Sequence, residues 1–118
     1  YYFIGLIPQQ KDLYLALQEA GFTLVFKEVL YNGQGEAKGN CDADLVLQAV
    51  SDVYEDSCRQ LVLVTSDGDY ACLTQFLKER GALRALVSPS NKCSYLLRKL
   101  NVRLVYLDTQ KNHLKHTL

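Results

Sequence analysis

An α/β fold, with a mostly parallel sheet covered by helices on both faces, is predicted by three features of this 118-residue chain. Short β-rich apolar runs alternate with amphipathic stretches from Tyr1 to Leu107, the pattern of repeated strand–helix–strand units. Gly21 and Gly81 each stand just after an amphipathic stretch and before the next apolar run, as helix stop signals do. Leu61 to Val64 is continuously apolar, as a strand buried on both faces of a parallel sheet should be. With 48% hydrophobic residues the chain suffices for one core and hardly for two, so residues 1–108 read as one domain and 109–118 as a polar tail.

The elements follow in order. Tyr1 to Ile4 is a first strand, and Pro8 punctuates the approach to a helix over Asp12 to Ala20. Leu13, Leu17 and Ala20 recur there at helical spacing, with Tyr14 alongside. Phe22 to Leu30 alternates as a second strand, and Asn32 to Gly39 is a glycine-bearing loop. Asp42 to Tyr54 reads as a helix with Leu45, Val46, Ala49, Val50 and Val53 on its buried face and Asp52, Glu55 and Asp56 outside. Leu61 to Thr65 is the third strand. Tyr70, Leu73, Phe76 and Leu77 give the next helix one apolar face, and Leu83 to Val87 is a strand. Ser88, Pro89 and Ser90 read as a helix start with proline in the first turn, Ser94 to Leu100 as the last helix, and Val102 to Leu107 as the closing strand.

Composition narrows the setting. No run of eighteen apolar residues suggests a membrane span, and no basic, then apolar, then small-residue leader suggests secretion, so a cytoplasmic protein without a membrane partner is expected. Cys41, Cys58, Cys72 and Cys93 form no CxxC pair or other ligand spacing, which predicts reduced, mostly packed thiols rather than disulfides or zinc ligands. The net charge of zero hides an asymmetry. Residues 1–77 carry four Lys/Arg against eleven Asp/Glu, and residues 78–118 carry nine against two. Such a split suits a basic surface beside an acidic pocket, as in a metal-dependent enzyme acting on nucleic acid, and equally suits two solvated faces that attract each other.

Two acidic features carry the chemistry. Asp67 and Asp69 flank Gly68 at the carboxyl end of a strand, where ligands bind in open α/β sheets, and Gly68 would let the backbone turn sharply there. Asp42 and Asp44 open the helix that follows the glycine loop. Each acid taken alone is as well explained by helix capping or by interaction with the helix dipole. Taken together they form a set of hard oxygen donors suited to magnesium or manganese, and carboxylates so close repel unless a cation or proton joins them.

The segments KGNCDADLVLQAV, LVLVTSDGDYACLTQFLKERG and SPSNKCSYLLRKL, in that order, resemble the NYN domain of the PIN-like nucleases, including the LabA-like bacterial proteins. The resemblance implies a Rossmann-like three-layer sandwich whose acidic pocket binds Mg2+ or Mn2+ and hydrolyses phosphodiester bonds, usually in RNA. By motif it makes Asp42, Asp67 and Asp69 the catalytic and metal-binding acids, with Asp44 a weaker ligand. The implied chemistry is an in-line displacement in which the ion polarises the phosphate, lowers the pKa of a bound water and stabilises the leaving oxygen. Lys38, Ser66, Ser88, Ser90 and Lys92 are the implied substrate contacts, with Arg98, Lys99 and Arg103 adding salt-sensitive affinity for phosphates. For Ser66 the plainer reading is a helix cap, and for the cations a solvated surface. Tyr31, Tyr70 and Tyr95 are able to stack on bases, although helical spacing favours core packing for Tyr70 and Tyr95. His113 and His116 lie in the polar tail, where a disordered end is expected rather than a metal pair.

The chain also departs from the family. Such domains open with a strand bearing an aspartate and a nearby asparagine, whereas Tyr1 to Ile4 aligns with the family's second strand. The first strand and its acid are therefore expected upstream of Tyr1. That strand is central in the family's sheet, and its loss leaves backbone groups of both neighbours unpaired. A shortened chain, an upstream segment, or replacement pairing by another chain, a homodimer included, would each account for this. The acids present then predict weak metal binding and leave activity to the complete domain. Two other readings stay open. One is a non-catalytic nucleic-acid or protein-interaction module whose acids are caps. The other is a phosphatase of the haloacid-dehalogenase kind with Asp67 as nucleophile, which this length leaves without room for the later motifs.

Overall fold

The computed structural model describes residues 1–28, 30–31, 33–34, 37–38, 42–110 and 112. The chain divides into two units, Tyr1–Ala49 and Val50–Leu118.

In the first unit, β1 (Tyr2–Leu6) leads through a 3-10 turn at Pro8–Gln10 into α1 (Lys11–Glu19), and β2 (Leu24–Glu28) returns parallel to β1. Tyr2 lies opposite Leu24 and Leu6 opposite Glu28. One side chain fastens the helix to the strands. Tyr14 is buried, its hydroxyl accepts the Ile7 N–H at 2.7 Å, and its ring meets Phe26 edge-on with centroids 5.1 Å apart. An aromatic pair of this geometry adds about 0.5–1.5 kcal/mol beyond the area it buries. The expected face of Leu13, Leu17 and Ala20 is largely outside: Leu13 and Ala20 are exposed and Leu17 is half-buried. Tyr14 wins the inward position because it fills the space and also satisfies a backbone donor.

The second predicted strand ends at Glu28, and the glycine stretch after it contains a hairpin. There β3 (Leu30–Tyr31) pairs antiparallel with β4 (Ala37–Lys38), Leu30 opposite Lys38. The bounds of α2 (Asp42–Tyr54) are those expected from the sequence. Its apolar stripe, Leu45, Val46, Ala49, Val50 and Val53, is half-buried rather than buried. Lys27 and Asp44 form an ion pair at 3.5 Å, with side chains 46% and 39% exposed, so it contributes no more than about 1 kcal/mol.

The second unit is built on a parallel sheet of order β5-β6-β7: β5 (Leu61–Val64), β6 (Leu83–Ser88) and β7 (Leu104–Tyr106). Between β5 and β6 run a 3-10 turn at Gly68–Tyr70 and α3 (Ala71–Glu79). Leu73 and Leu77, one helical turn apart, are buried with Leu63, Ala85, Leu86 and Leu97, and Tyr70 closes the same core. Thr74 is fully buried and its hydroxyl donates to the Tyr70 carbonyl at 2.8 Å, so the polar atom inside the core is satisfied. Gly81 ends α3 at φ +65°, a left-handed conformation that disfavours a Cβ.

Three expectations are corrected here. β5 is buried on one face only: Leu63 points in, while Val62 and Val64 are 48% and 55% exposed. Among the described residues β5 has β6 as its one strand partner, so it is an edge strand of this sheet. The segment Ser88-Pro89-Ser90 is not a helix start, because Ser88 ends β6 and α4 (Tyr95–Arg98) begins later, capped by Ser94. Local hydrogen bonds hold the chain in turns there instead. Ser88 Oγ donates to the Ser90 carbonyl at 2.6 Å and the Lys92 N–H donates to Ser90 Oγ at 3.2 Å. Cys58, Cys72 and Cys93 are free thiols as expected, yet only Cys93 is buried, Cys58 being half-buried and Cys72 exposed. Leu107–Gln110 forms a 3-10 turn, and Cys41, His113 and His116 lie outside the described residues. The α/β class stands, with parallel strand pairs in both units and the hairpin as the antiparallel exception.

Candidate active site

The acidic loop starts where β5 runs out. Thr65 keeps the strand's register for one more residue, its N–H donating to Val87 O at 2.9 Å. Its hydroxyl then accepts the Asp67 N–H at 3.1 Å, which bends the chain out of the sheet. Asp67 is the N-cap of the 3-10 turn, its Oδ1 accepting the Asp69 N–H at 2.9 Å. The capping role weighed for Asp67 is thus real. Asp69 makes no such cap: the N-cap position of α3 is Tyr70, and no side chain serves it. Both Asp67 and Asp69 are exposed, and among the described residues neither is in an ion pair.

Gly68 is required for space and not for a special backbone angle, since it is not among the positive-φ glycines. A Cβ built there would meet Ser94 Oγ at 2.5 Å, Leu96 Cδ1 at 2.9 Å and Leu96 Cβ at 3.3 Å. The two segments are also tied by the Ser94 N–H donating to Ser66 O at 3.1 Å. Ser94 Oγ cannot yield freely, because it accepts the Leu96 N–H at 3.2 Å as the cap of α4. Gly68→Ala is therefore expected to cost about 1–3 kcal/mol in urea unfolding, the range for inserting a methyl group into a filled space. A loss below about 0.5 kcal/mol would show that Ser94 moves aside cheaply.

The remaining sequence candidates separate. Asp42 is the first residue of α2 and half-buried, in the first turn where the helix dipole favours a carboxylate. Asp44, also half-buried, is already compensated by Lys27. Ser66 is half-buried and contributes its carbonyl to Ser94. Ser88 is fully buried and its hydroxyl is committed to the Ser90 carbonyl, which removes it from the surface a substrate would touch. Ser90 is half-buried, and its hydroxyl accepts the Lys92 N–H. Lys92 is exposed, and Lys38 belongs to β4. Tyr70 packs in the core as expected, whereas Tyr95 is 64% exposed and does not. Tyr31 belongs to β3.

Two residues that shape the site escaped the sequence reading: Thr65, which bends the loop, and Ser94, which braces it. Thr65 carried a signal, since a threonine followed by Ser66 and Asp67 at a strand end is a set of short hydroxyl and carboxyl side chains suited to capturing local N–H groups. The bracing by Ser94 depends on distant parts of the chain meeting and had no local signature. Chemically, the loop offers two carboxylates one residue apart, in solvent and, among the described residues, unpaired by protein cations, as donors for a hard metal ion.

Comparison with protein-family models finds a match to the NYN domain over residues 1–112. Comparison with curated proteins finds no match. Among solved structures, the chain is similar to a protein of unknown function from Vibrio parahaemolyticus, with a TM-score of 0.67 and 22% sequence identity over 86% of this chain. The same alignment spans 62% of the Vibrio protein, so the present chain matches less than two thirds of that protein's length. The likeness shows a shared α/β fold.

Proposed function

The chain belongs to the NYN domain family, and on that premise we propose that it is a metal-dependent ribonuclease domain hydrolysing RNA phosphodiester bonds at Asp42, Asp67 and Asp69. The observation that carries the proposal is the Asp67-Gly68-Asp69 loop at the carboxyl end of a parallel strand, with both carboxylates exposed and out of any ion pair among the described residues. Asp42, the acid of the KGNCD segment, is the third acid that the family motif implies. Three hard carboxylate donors fit Mg2+ or Mn2+ and would suit neither a soft metal nor an anion. When bound, the ion supplies a polarised phosphate and a more acidic water.

The chain's own residues do the holding. Thr65 holds the Asp67 backbone N–H, while the Asp69 N–H donates to one oxygen of the Asp67 carboxylate and leaves its other oxygen for the ion. Asp69 presents its carboxylate from the turn that Gly68 lets approach Ser94. Asp44 is the weaker ligand, because moving it to an ion means giving up Lys27. Family membership favours this reading over the phosphatase reading of the same acid pair. Among the described residues no helix is long and apolar enough to cross a membrane.

Cleavage of end-labelled single-stranded RNA by the full-length gene product is the test. Cleavage in magnesium or manganese that stops with EDTA is the expected result. No cleavage of varied RNAs, together with no heat of manganese binding, would overturn the proposal. That outcome would favour the non-catalytic interaction module, for which the capping bond from Asp69 N–H to Asp67 is the supporting observation.

A further inference from the structure

We infer that α4 and the turn before it form a docking platform for single-stranded RNA, in which a base stacks on Tyr95 while flanking phosphates meet Arg98, Lys99 and Lys92. The choice of RNA rests on the ribonuclease reading above; the platform itself rests on four observations.

The first is exposure in the wrong place for packing. On the short helix α4, Leu97 is fully buried and anchors the segment, whereas Tyr95 is 64% exposed and contributes little to the core. A large aromatic ring so exposed keeps apolar surface in water on which a base can stack. The second is what surrounds the ring. Arg98 and Lys99, three and four residues on, place Cζ at 5.6 Å and Nζ at 6.0 Å from its centroid, within cation–π range. These contacts hold the ring and both cations in one patch. Arg98 is steadied further by its Nε donating to Cys93 O at 3.2 Å, which uses one of five N–H donors.

The third observation is charge. Residues 78–118 carry nine Lys/Arg against two Asp/Glu, and among the described residues Lys92, Arg98 and Lys99 are exposed and in no ion pair. A cationic patch around an exposed aromatic ring is the chemistry that recognises a single strand: phosphates for the cations, an unstacked base for the ring. The fourth is position within the same unit. Ser94, next to Tyr95, donates its N–H to Ser66 O at 3.1 Å and crowds Gly68, so the platform adjoins the loop carrying Asp67 and Asp69. A strand held on Tyr95 passes beside those carboxylates.

Fluorescence anisotropy with a labelled oligouridylate, in EDTA so that nothing is cleaved, tests the inference on the full-length gene product. Tyr95→Ala is expected to weaken binding about tenfold and Tyr95→Phe to stay within about twofold of wild type, since stacking needs the ring and not the hydroxyl. Lys99→Gln is expected to lower the slope of log K against log salt by about 0.7, the value for one phosphate contact on a single strand. Duplex RNA, with its base faces hidden, is expected to bind more weakly than the single strand. Wild-type affinity in Tyr95→Ala, equal affinity for duplex, or no RNA binding at all would each overturn the platform. The two readings fail separately. Cleavage that persists with Tyr95→Ala binding unchanged sinks the platform alone, and Tyr95-dependent binding without any metal-dependent cleavage sinks the ribonuclease reading alone.

Discussion

Asp67→Asn is expected to lower metal-dependent cleavage of single-stranded RNA by at least about 100-fold, the upper range for losing even an outer-shell partner of a metal ligand. The same substitution should leave the fold within about 0.5 kcal/mol of wild type, because Asn and Asp are equivalent N-caps. The amide Oδ1 still accepts the Asp69 N–H, and the Thr65 hydroxyl still accepts the N–H of residue 67. Charge is lost and architecture is kept, so activity and stability come apart. Asp67→Ala, in contrast, should lose both activity and about 0.5–2 kcal/mol, the range for removing a cap. Initial cleavage rates in manganese, paired with urea unfolding of the same preparations, provide the comparison. An Asp67→Asn protein that cleaves within a few-fold of wild type would mean that this carboxylate is a cap and nothing more.

Leu86→Ala is expected to destabilise the protein by about 2–5 kcal/mol, the range for truncating a buried leucine. Leu86 is fully buried: it sits in the central strand β6, opposite Leu63 of β5 on one side and Leu104 of β7 on the other. A cavity there is lined by strands on both sides, which limits collapse. Against a total stability of about 5–15 kcal/mol for a domain, this is a large fraction. The urea midpoint should fall with its slope unchanged. A cost under about 1 kcal/mol would mean that the sheet does not close around this residue.

Much of this was legible from residue order, and the exceptions have physical causes. Asp42–Tyr54 showed its full extent because acidic first-turn residues and a long apolar period coincide there. The acidic loop was legible because the apolar run of β5 stops abruptly at two carboxylates. Phe22 to Leu30 looked like one strand because alternation does not record where a chain leaves its partner, and β2 ends at Glu28. Ser-Pro-Ser looked like a helix start because capping residues also make turns, and the hydroxyls of Ser88 and Ser90 took the second option. Tyr95 was misread as core because spacing shows which residues share a face and cannot show what covers that face. The purpose of Gly68 was the least legible feature. Sequence suggested backbone freedom, while the structure shows a neighbour occupying the place of a side chain.

That last contact has an evolutionary consequence. A glycine required by its backbone angle is constrained alone, and any lineage keeps or loses it independently of the rest of the chain. Gly68 is constrained by Ser94 and Leu96, so a side chain at position 68 becomes acceptable only when positions 94 and 96 change with it. The acid-bearing loop and the start of α4 are thereby expected to be inherited as a pair, with drift in one recorded as compensating drift in the other.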